Sequence, residues 1–282
     1  RVRACARDRP RPRARTQRVA WLGNLGVRSA DITFVIITKN EAANIVACLH
    51  SLPEKSPALV YDAFSDDATA ERARSLGATV IQARWAGFAR AREDAAALVK
   101  TGWTFMLDAD ERVTPELAQE IAALEPAPNV SAYSLPRRNH FCGRWIRSAG
   151  WWPDRLVRLF RTGQATMIAR GSSSHAVHET WQPQGRCVAL RSPIDHFSYA
   201  SVAEYRRKFA LYSGLEAQGA RGGLTRVVAA WAVVPLRAAW FLVRRGGIFE
   251  GWRGAYVCTG SALYPAIVAT KRWAGRRGNT TQ

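Results

Sequence analysis

The stretch Phe105-Met-Leu-Asp-Ala-Asp-Glu-Arg112 decides how the chain is read. An apolar run, 103–107, predicts a buried strand and stops abruptly at three acids in four positions. Acids there are expected outside the core, because carboxylates are almost never fully buried unless paired. They would emerge at the carboxyl end of the strand, where open α/β sheets place their ligands. Asp108 and Asp110, one residue apart, could share a hard divalent cation, Mg²⁺ or Mn²⁺, which completes its shell with water and phosphate oxygens. The tripeptide alone equally allows a solvated acidic turn leading into a helix at Thr114-Pro115-Glu116.

Working outward, residues 32–38 (ITFVIIT) form an unbroken β-branched run, as expected of a central parallel strand buried on both faces. The pattern then predicts a helix over 40–49, a strand over 58–61, a helix over 67–76 ended by Gly77, and a strand over 79–82. An Ala-rich helix over 88–100 and the strand 103–107 follow. Strands and helices alternating at this spacing imply right-handed βαβ units and a mostly parallel sheet. No Gly-x-Gly-x-x-Gly or Walker loop is present, so neither a dinucleotide fingerprint nor a P-loop is indicated.

The 282 residues are 48% hydrophobic, enough for a sizeable core, and carry a formal net charge of +19. Residues 1–18 hold eight Arg and one Asp, so +12 remains on the rest. A basic body suggests a polyanionic partner: nucleic acid, an anionic membrane surface or a phosphorylated substrate. Residues 1–30 read as a basic disordered tail with no apolar stretch of signal-peptide type. Cys5, Cys48, Cys142, Cys187 and Cys258 are scattered without a Cys-x-x-Cys, which fits a reducing, cytoplasmic setting. His175 and His178 are three apart, but no suitably spaced third ligand accompanies them, which argues against zinc.

After Pro126 the pattern changes. Residues 130–200 are rich in aromatics, Arg, Gly and His, with short strands expected over 132–135, 156–160 and 188–191. Residues 201–218 predict an amphipathic helix. Residues 224–243 and 255–269 are strongly apolar, but the first carries Arg226, Pro235 and Arg237, and the second is short of the ~20 residues a spanning helix needs. Two readings stay open: helices lying in a membrane interface, with Trp and Arg at headgroup level, or an ordinary buried helical pair.

Thr38-Lys-Asn-Glu41, Asp62-Ala-Phe-Ser-Asp-Asp-Ala-Thr69, Ala91-Arg92 and Asp108-Ala-Asp110 sit at or near the ends of successive strands. In this order they resemble a family 2 glycosyltransferase of GT-A fold. Arg137-Arg-Asn-His-Phe-Cys-Gly-Arg-Trp145, Gly150-Trp-Trp-Pro-Asp154, Arg158-Leu-Phe-Arg161, Val177-His-Glu179 and His196-Phe-Ser-Tyr199 look like the lipopolysaccharide-core β-1,4-glucosyltransferase branch. The resemblance spans about residues 31–270. It implies an α/β GT-A nucleotide-sugar-binding domain over 31–220, with a donor half (31–126) and an acceptor half (127–220), and a membrane-associating helical appendage over 221–282.

The resemblance also implies roles. Thr38, Asn40 and Glu41 line the nucleoside site, Asp62 accepts from the uracil imide, and Arg92 approaches the nucleotide. Asp108 and Asp110 hold the metal–diphosphate. Arg137, Asn139, Trp151, Trp152 and His178 face the acceptor, Trp151 and Trp152 as sugar-stacking residues or as core. The base is Asp154 or, second, Glu179; Asp154 could instead be an ion-pair partner of Arg155 or Arg158. The family usually has Asp-Ser where this chain has Asp62-Ala63, and often Asn where Glu93 follows Arg92. The expected enzyme is a cytoplasmic, membrane-peripheral, inverting hexosyltransferase using a UDP-sugar, a divalent metal (Mg²⁺ or Mn²⁺) and a lipid-linked saccharide acceptor with a basic pocket of Arg137, Arg138, Arg144 and Arg147. A polyprenyl-phosphate acceptor is the alternative within this class. Outside it stand a catalytically dead membrane scaffold and a basic nucleic-acid-binding protein. The acids at the strand ends disfavour the latter, so no nucleic acid is expected as a partner.

Overall fold

The computed structural model describes residues 28–169, 179–218 and 222–278. The expected tail lies almost wholly outside them. In chain order the elements are β1 (Ile32–Thr38), α1 (Ile45–His50), β2 (Ala58–Asp62), α2 (Thr69–Ser75), β3 (Thr79–Gln82), α3 (Phe88–Ala97), β4 (Trp103–Asp108), β5 (Glu111–Val113) and α4 (Pro115–Ala122). Then come β6 (Val130–Phe141), β7 (Arg144–Trp145), β8 (Asp154–Arg161), β9 (Ala165–Ala169), β10 (Glu179–Pro183), β11 (Arg186–Ala189) and β12 (Ile194–Tyr199). The chain closes with α5 (Val202–Ala217), α6 (Leu224–Ala232), α7 (Val234–Ala239) and α8 (Gly251–Gly278).

The described residues fall into two compact units: 28–136, 155–169 and 180–194, and then 137–154, 179, 195–218 and 222–278. This division groups by compactness; the donor, acceptor and membrane segments named above are functional divisions.

The first unit is a sheet in the order β3-β2-β1-β4-β8-β6. β1, β2, β3 and β4 are parallel, and β8 joins β4 antiparallel. All seven residues of β1 are buried because both faces of the sheet are covered. Side chains alternate along a strand. Ile32, Phe34 and Ile36 therefore join Phe105 and Leu107 against Ile45, Cys48, Leu117 and Ile121 on one face. Val35 and Ile37 join Met106 against Ala91 and Ala95 of α3 on the other. Burying each such aliphatic side chain contributes about 1.5–3 kcal/mol.

The helix predicted over 40–49 begins only at Ile45. Residues 40–44 are spent on the neighbouring loop instead. Asn40 is left-handed (φ 56°), a conformation Asn tolerates. The Glu41 amide donates to Thr69 Oγ1 (2.8 Å) and the Ala42 amide to Asp67 Oδ2 (3.1 Å). The helix at Pro115 starts as expected, with Thr114 Oγ1 accepting from the Leu117 amide (3.2 Å) and proline in the first turn.

In the second unit the later part of β6 pairs with β7 and lies beside β12. Ser201 caps α5, its hydroxyl accepting from the Glu204 amide (3.1 Å). Phe141, Ile146, Tyr205, Val257 and Cys258 form the core. Helix α8 packs closely at glycines: a Cβ at Gly254 would stand 1.9 Å from the Gly247 carbonyl oxygen.

The two C-terminal apolar segments have different fates. Within α8, Val257, Cys258, Ala262, Ala266 and Val268 are buried, the ordinary core alternative. The helical stretch Leu224–Arg244, by contrast, is long and apolar enough to cross a membrane by length and composition, and only 6% of its apolar window is buried. Leu236 and Val243 are 73% and 72% exposed.

Candidate active site

The carboxyl ends of β1 and β2 are tied together. Thr38 is buried, and its carbonyl accepts from the Ala63 amide (2.9 Å). Asn40 Oδ1 accepts from the Asp66 amide, and the Asn40 amide donates to Ser65 Oγ, both at 2.8 Å. Glu41 accepts from Asn44 Nδ2 (2.8 Å). Asp62 is fully buried, its Oδ2 accepting from the Ser65 amide and Gln82 Nε2, each at 3.0 Å. Ala63 has no hydroxyl to offer; the one that reaches Asp62 Oδ1 belongs to Ser65, at 2.5 Å. Asp67 holds the start of α2, accepting from the Thr69 amide (3.0 Å). Glu93 accepts from the Met167 amide (3.2 Å).

At the end of β4, Asp108 has an arginine on each oxygen. Arg92 Nη2 donates to Oδ1 and Arg158 Nη2 to Oδ2, both at 2.8 Å. Burial alone would push this carboxyl up, but Arg158 and Arg92 together hold it well below the usual carboxylate range. Arg158 also donates to Glu111 Oε1 (2.5 Å), while Glu111 Oε2 accepts from the Asp108 amide (3.0 Å). The same glutamate thus clamps the turn and neutralises the arginine. Glu111 is fully buried, which corrects the expectation that all three acids of the opening stretch lie outside the core. The missed signal was Arg158 itself: a guanidinium inside the apolar run Leu156–Phe160 requires a buried acid.

Asp110 is partly exposed. The carboxylates of this turn are the donor type that a hard cation takes. Among the described residues no three His, Cys, Asp or Glu side chains form a metal cage.

In the second unit, Asp154 pairs with Arg137, not with Arg155 or Arg158. Arg137 Nε and Nη2 reach Oδ2 at 2.9 and 2.6 Å, and Asn139 Nδ2 reaches the same oxygen at 3.4 Å. Oδ1 has no hydrogen bond among the described residues. Burial would push the Asp154 carboxyl up; the Arg137 charge and the hydrogen bonds from Arg137 and Asn139 outweigh it and hold the pKa below the usual range. Asn139 is itself buried, donating to the Trp151 carbonyl (3.2 Å) and bonded through Oδ1 to His196 Nδ1 (2.6 Å). Trp151 packs on the core of this unit, whereas Trp152 stands edge-on to Trp145 at 5.1 Å. Arg155 donates to the Ser134 and Leu190 carbonyls. Glu179 opens β10 and is half-buried. His175 and His178 lie outside the described residues.

Carboxylates at the ends of parallel strands stand where open α/β sheets place their ligands. Residues 33–181 match the family model described as glycosyl transferase family 2. The chain belongs to that family. It is a family 2 glycosyltransferase of α/β architecture. An uncharacterized glycosyltransferase of Rickettsia bellii (strain RML369-C) is 36% identical over 195 residues, and the match covers 66% of each chain, just under two thirds of that relative's length. The lipopolysaccharide core biosynthesis glycosyltransferase LpsC of Rhizobium meliloti (strain 1021) is 26% identical over 249 residues, 84% of this chain and 89% of LpsC. Among solved structures, the mannosyltransferase PcManGT of Pyrobaculum calidifontis, in complex with GDP-Man and Mn²⁺, aligns over 86% of both chains at 14% identity and a TM-score of 0.49.

Proposed function

We propose that this glycosyltransferase is an inverting hexosyltransferase that moves a hexose, glucose in the first instance, from a UDP-sugar to a lipid-linked saccharide such as the lipopolysaccharide inner core. The observation that carries the reading is the open Oδ1 of Asp154, beside an Oδ2 saturated by Arg137 and Asn139. Such a carboxylate is ionised at neutral pH and keeps one lone-pair face for the proton of an acceptor hydroxyl. Glu179 is the second candidate for that proton.

On the donor side, Thr38, Asn40, Glu41 and Asp62 form the nucleoside end. Asp62, buried with both oxygens held by Ser65 and Gln82, shapes that end from beneath. Arg92 and Arg158 keep Asp108 ionised and set the turn that presents Asp110. Asp108 and Asp110 would hold a divalent cation, Mg²⁺ or Mn²⁺, which when bound would supply charge stabilisation for the departing diphosphate. The glycosidic bond to the diphosphate breaks as the acceptor oxygen bonds the anomeric carbon. The hydroxyl proton goes to Asp154, and the electron pair leaves with UDP.

The similarity to LpsC over most of both chains supports a lipopolysaccharide acceptor. The exposed apolar stretch Leu224–Arg244 supports a membrane-peripheral enzyme, and the proposed nucleotide-sugar donor suits the cytoplasmic face. UDP release from a panel of UDP-sugars, with extracted lipopolysaccharide core, tests the proposal with and without Mn²⁺. UDP-glucose is expected to turn over best, with metal stimulation, and Asp110→Ala is expected to lose about a hundredfold or more. Metal-independent turnover, with Asp110→Ala near wild type, would remove the metal–diphosphate assignment.

A further inference from the structure

Of the four arginines expected to form one basic acceptor pocket, two are used internally. Arg137 is on Asp154, and Arg138 is paired with Asp195 at 2.8 Å. Arg144 and Arg147 are exposed and have no ion pair among the described residues. They border a cavity of about 540 Å³ with Trp145, Ser148, Phe249 and Glu250, within the size range of small-ligand sites.

Three features of this cavity point to one ligand chemistry. First, Arg144 and Arg147 stand exposed on its wall with no ion pair among the described residues. Second, the charge on the wall is positive on balance. Glu250 is the one acid on it, and its Oε1 is engaged by the Arg147 amide at 2.7 Å, fixing the backbone that presents Arg147. The Arg147 guanidinium in turn lies 4.6 Å from the Trp145 ring centroid. Third, the wall ends in an apolar tip: Phe249 is 84% exposed and its neighbour Ile248 63%. Exposed Arg244 and Arg245 precede the tip. Phosphate oxygens match two arginines, and hydrocarbon matches the tip.

We infer that this cavity seats the phosphate monoester of a membrane lipid while Ile248 and Phe249 enter the acyl boundary. Docking there is separate from the sugar-transfer chemistry at Asp154, although it rests on the membrane-peripheral reading above. A second copy of the chain is a poorer occupant, because the tip is flanked by like charges.

The test uses the full chain and sedimentation with vesicles of phosphatidylcholine alone, or mixed in equal proportion with phosphatidylglycerol or phosphatidic acid. Wild type is expected to prefer phosphatidic acid to phosphatidylglycerol. The double variant Arg144→Gln/Arg147→Gln should lose about tenfold or more on phosphatidic acid and with it the preference. Arg226→Gln/Arg237→Gln removes the same charge elsewhere and should weaken both anionic vesicles while keeping the preference. Phe249→Ser should weaken both equally. The inference is overturned by a wild type without preference, or by an Arg144→Gln/Arg147→Gln variant that weakens both vesicles alike. Glycerol 3-phosphate binding as tightly in solution as phosphatidic acid in vesicles, or self-association that buries the tip without lipid, would also overturn it. The vesicles contain no donor sugar, so UDP release judges the transferase reading independently.

Discussion

Asp108 and Asp154 are both partly buried, arginine-paired carboxylates with pKa values held down, yet they are built for different work. Asp108 has an arginine on each oxygen and a third acid, Glu111, behind one of them. Asp154 receives all its donors on one oxygen and leaves the other open. A carboxylate with an arginine on each oxygen can position a turn, while the two guanidiniums weaken its hold on a proton. A half-closed one keeps an oxygen clear of cations. The scaffolds differ too. Around Asp108 the supports are charged, whereas around Asp154 they include neutral Asn139, bonded onward to His196 and a backbone carbonyl.

The largest effect that would break or sharpen this contrast is expected at Arg158. Arg158→Met should destabilise the protein by about 3–5 kcal/mol, because it leaves Glu111 buried and both acids without their shared cation. Urea unfolding would show it, and adding Glu111→Gln should restore part of the loss. An Arg158→Met protein as stable as wild type would mean the network is not a support. The neutral scaffold should matter less. Asn139→Ala is expected to cost about 1–3 kcal/mol, the range for orphaned buried hydrogen-bond partners. A loss as large as that of Arg158→Met would erase the distinction between the two regions.

The smallest effect is a shift in pH dependence. The Asp154 pKa is depressed, so its pairing contributes stability above the ordinary carboxylate pKa and loses it as pH falls through the depressed value. In Arg137→Gln the upward push of burial is no longer offset by that charge. The acid limb of kcat/KM should therefore move to higher pH. An unmoved limb would separate Arg137 from the titrating group.

Much of the first unit was legible because its strands obey a simple rule. A β-branched run buried on both faces has to be a central strand, and the ends of β1 and β3 fall where the pattern puts them. Helix α1 was misjudged at its start because residues 40–44 satisfy their amides through Thr69 and Asp67, partners that sequence spacing does not reveal. The Arg158–Glu111 pair was half legible, as a charge within an apolar run whose partner lay 47 residues away. In the second unit the two apolar C-terminal segments look alike by composition. Only tertiary packing makes one of them core and leaves the other exposed. The motif around Asp154 announced a carboxylate but not that Arg137 would take just one of its oxygens.

The most direct test is one titration paired with one rate: UDP affinity and turnover of Asp154→Asn, in the full chain. The amide fills the same space and cannot take the proton. The account predicts an unchanged UDP Kd and a turnover lowered by about 10²–10⁴-fold. Turnover near wild type, with Glu179→Gln the inactive variant instead, would contradict it.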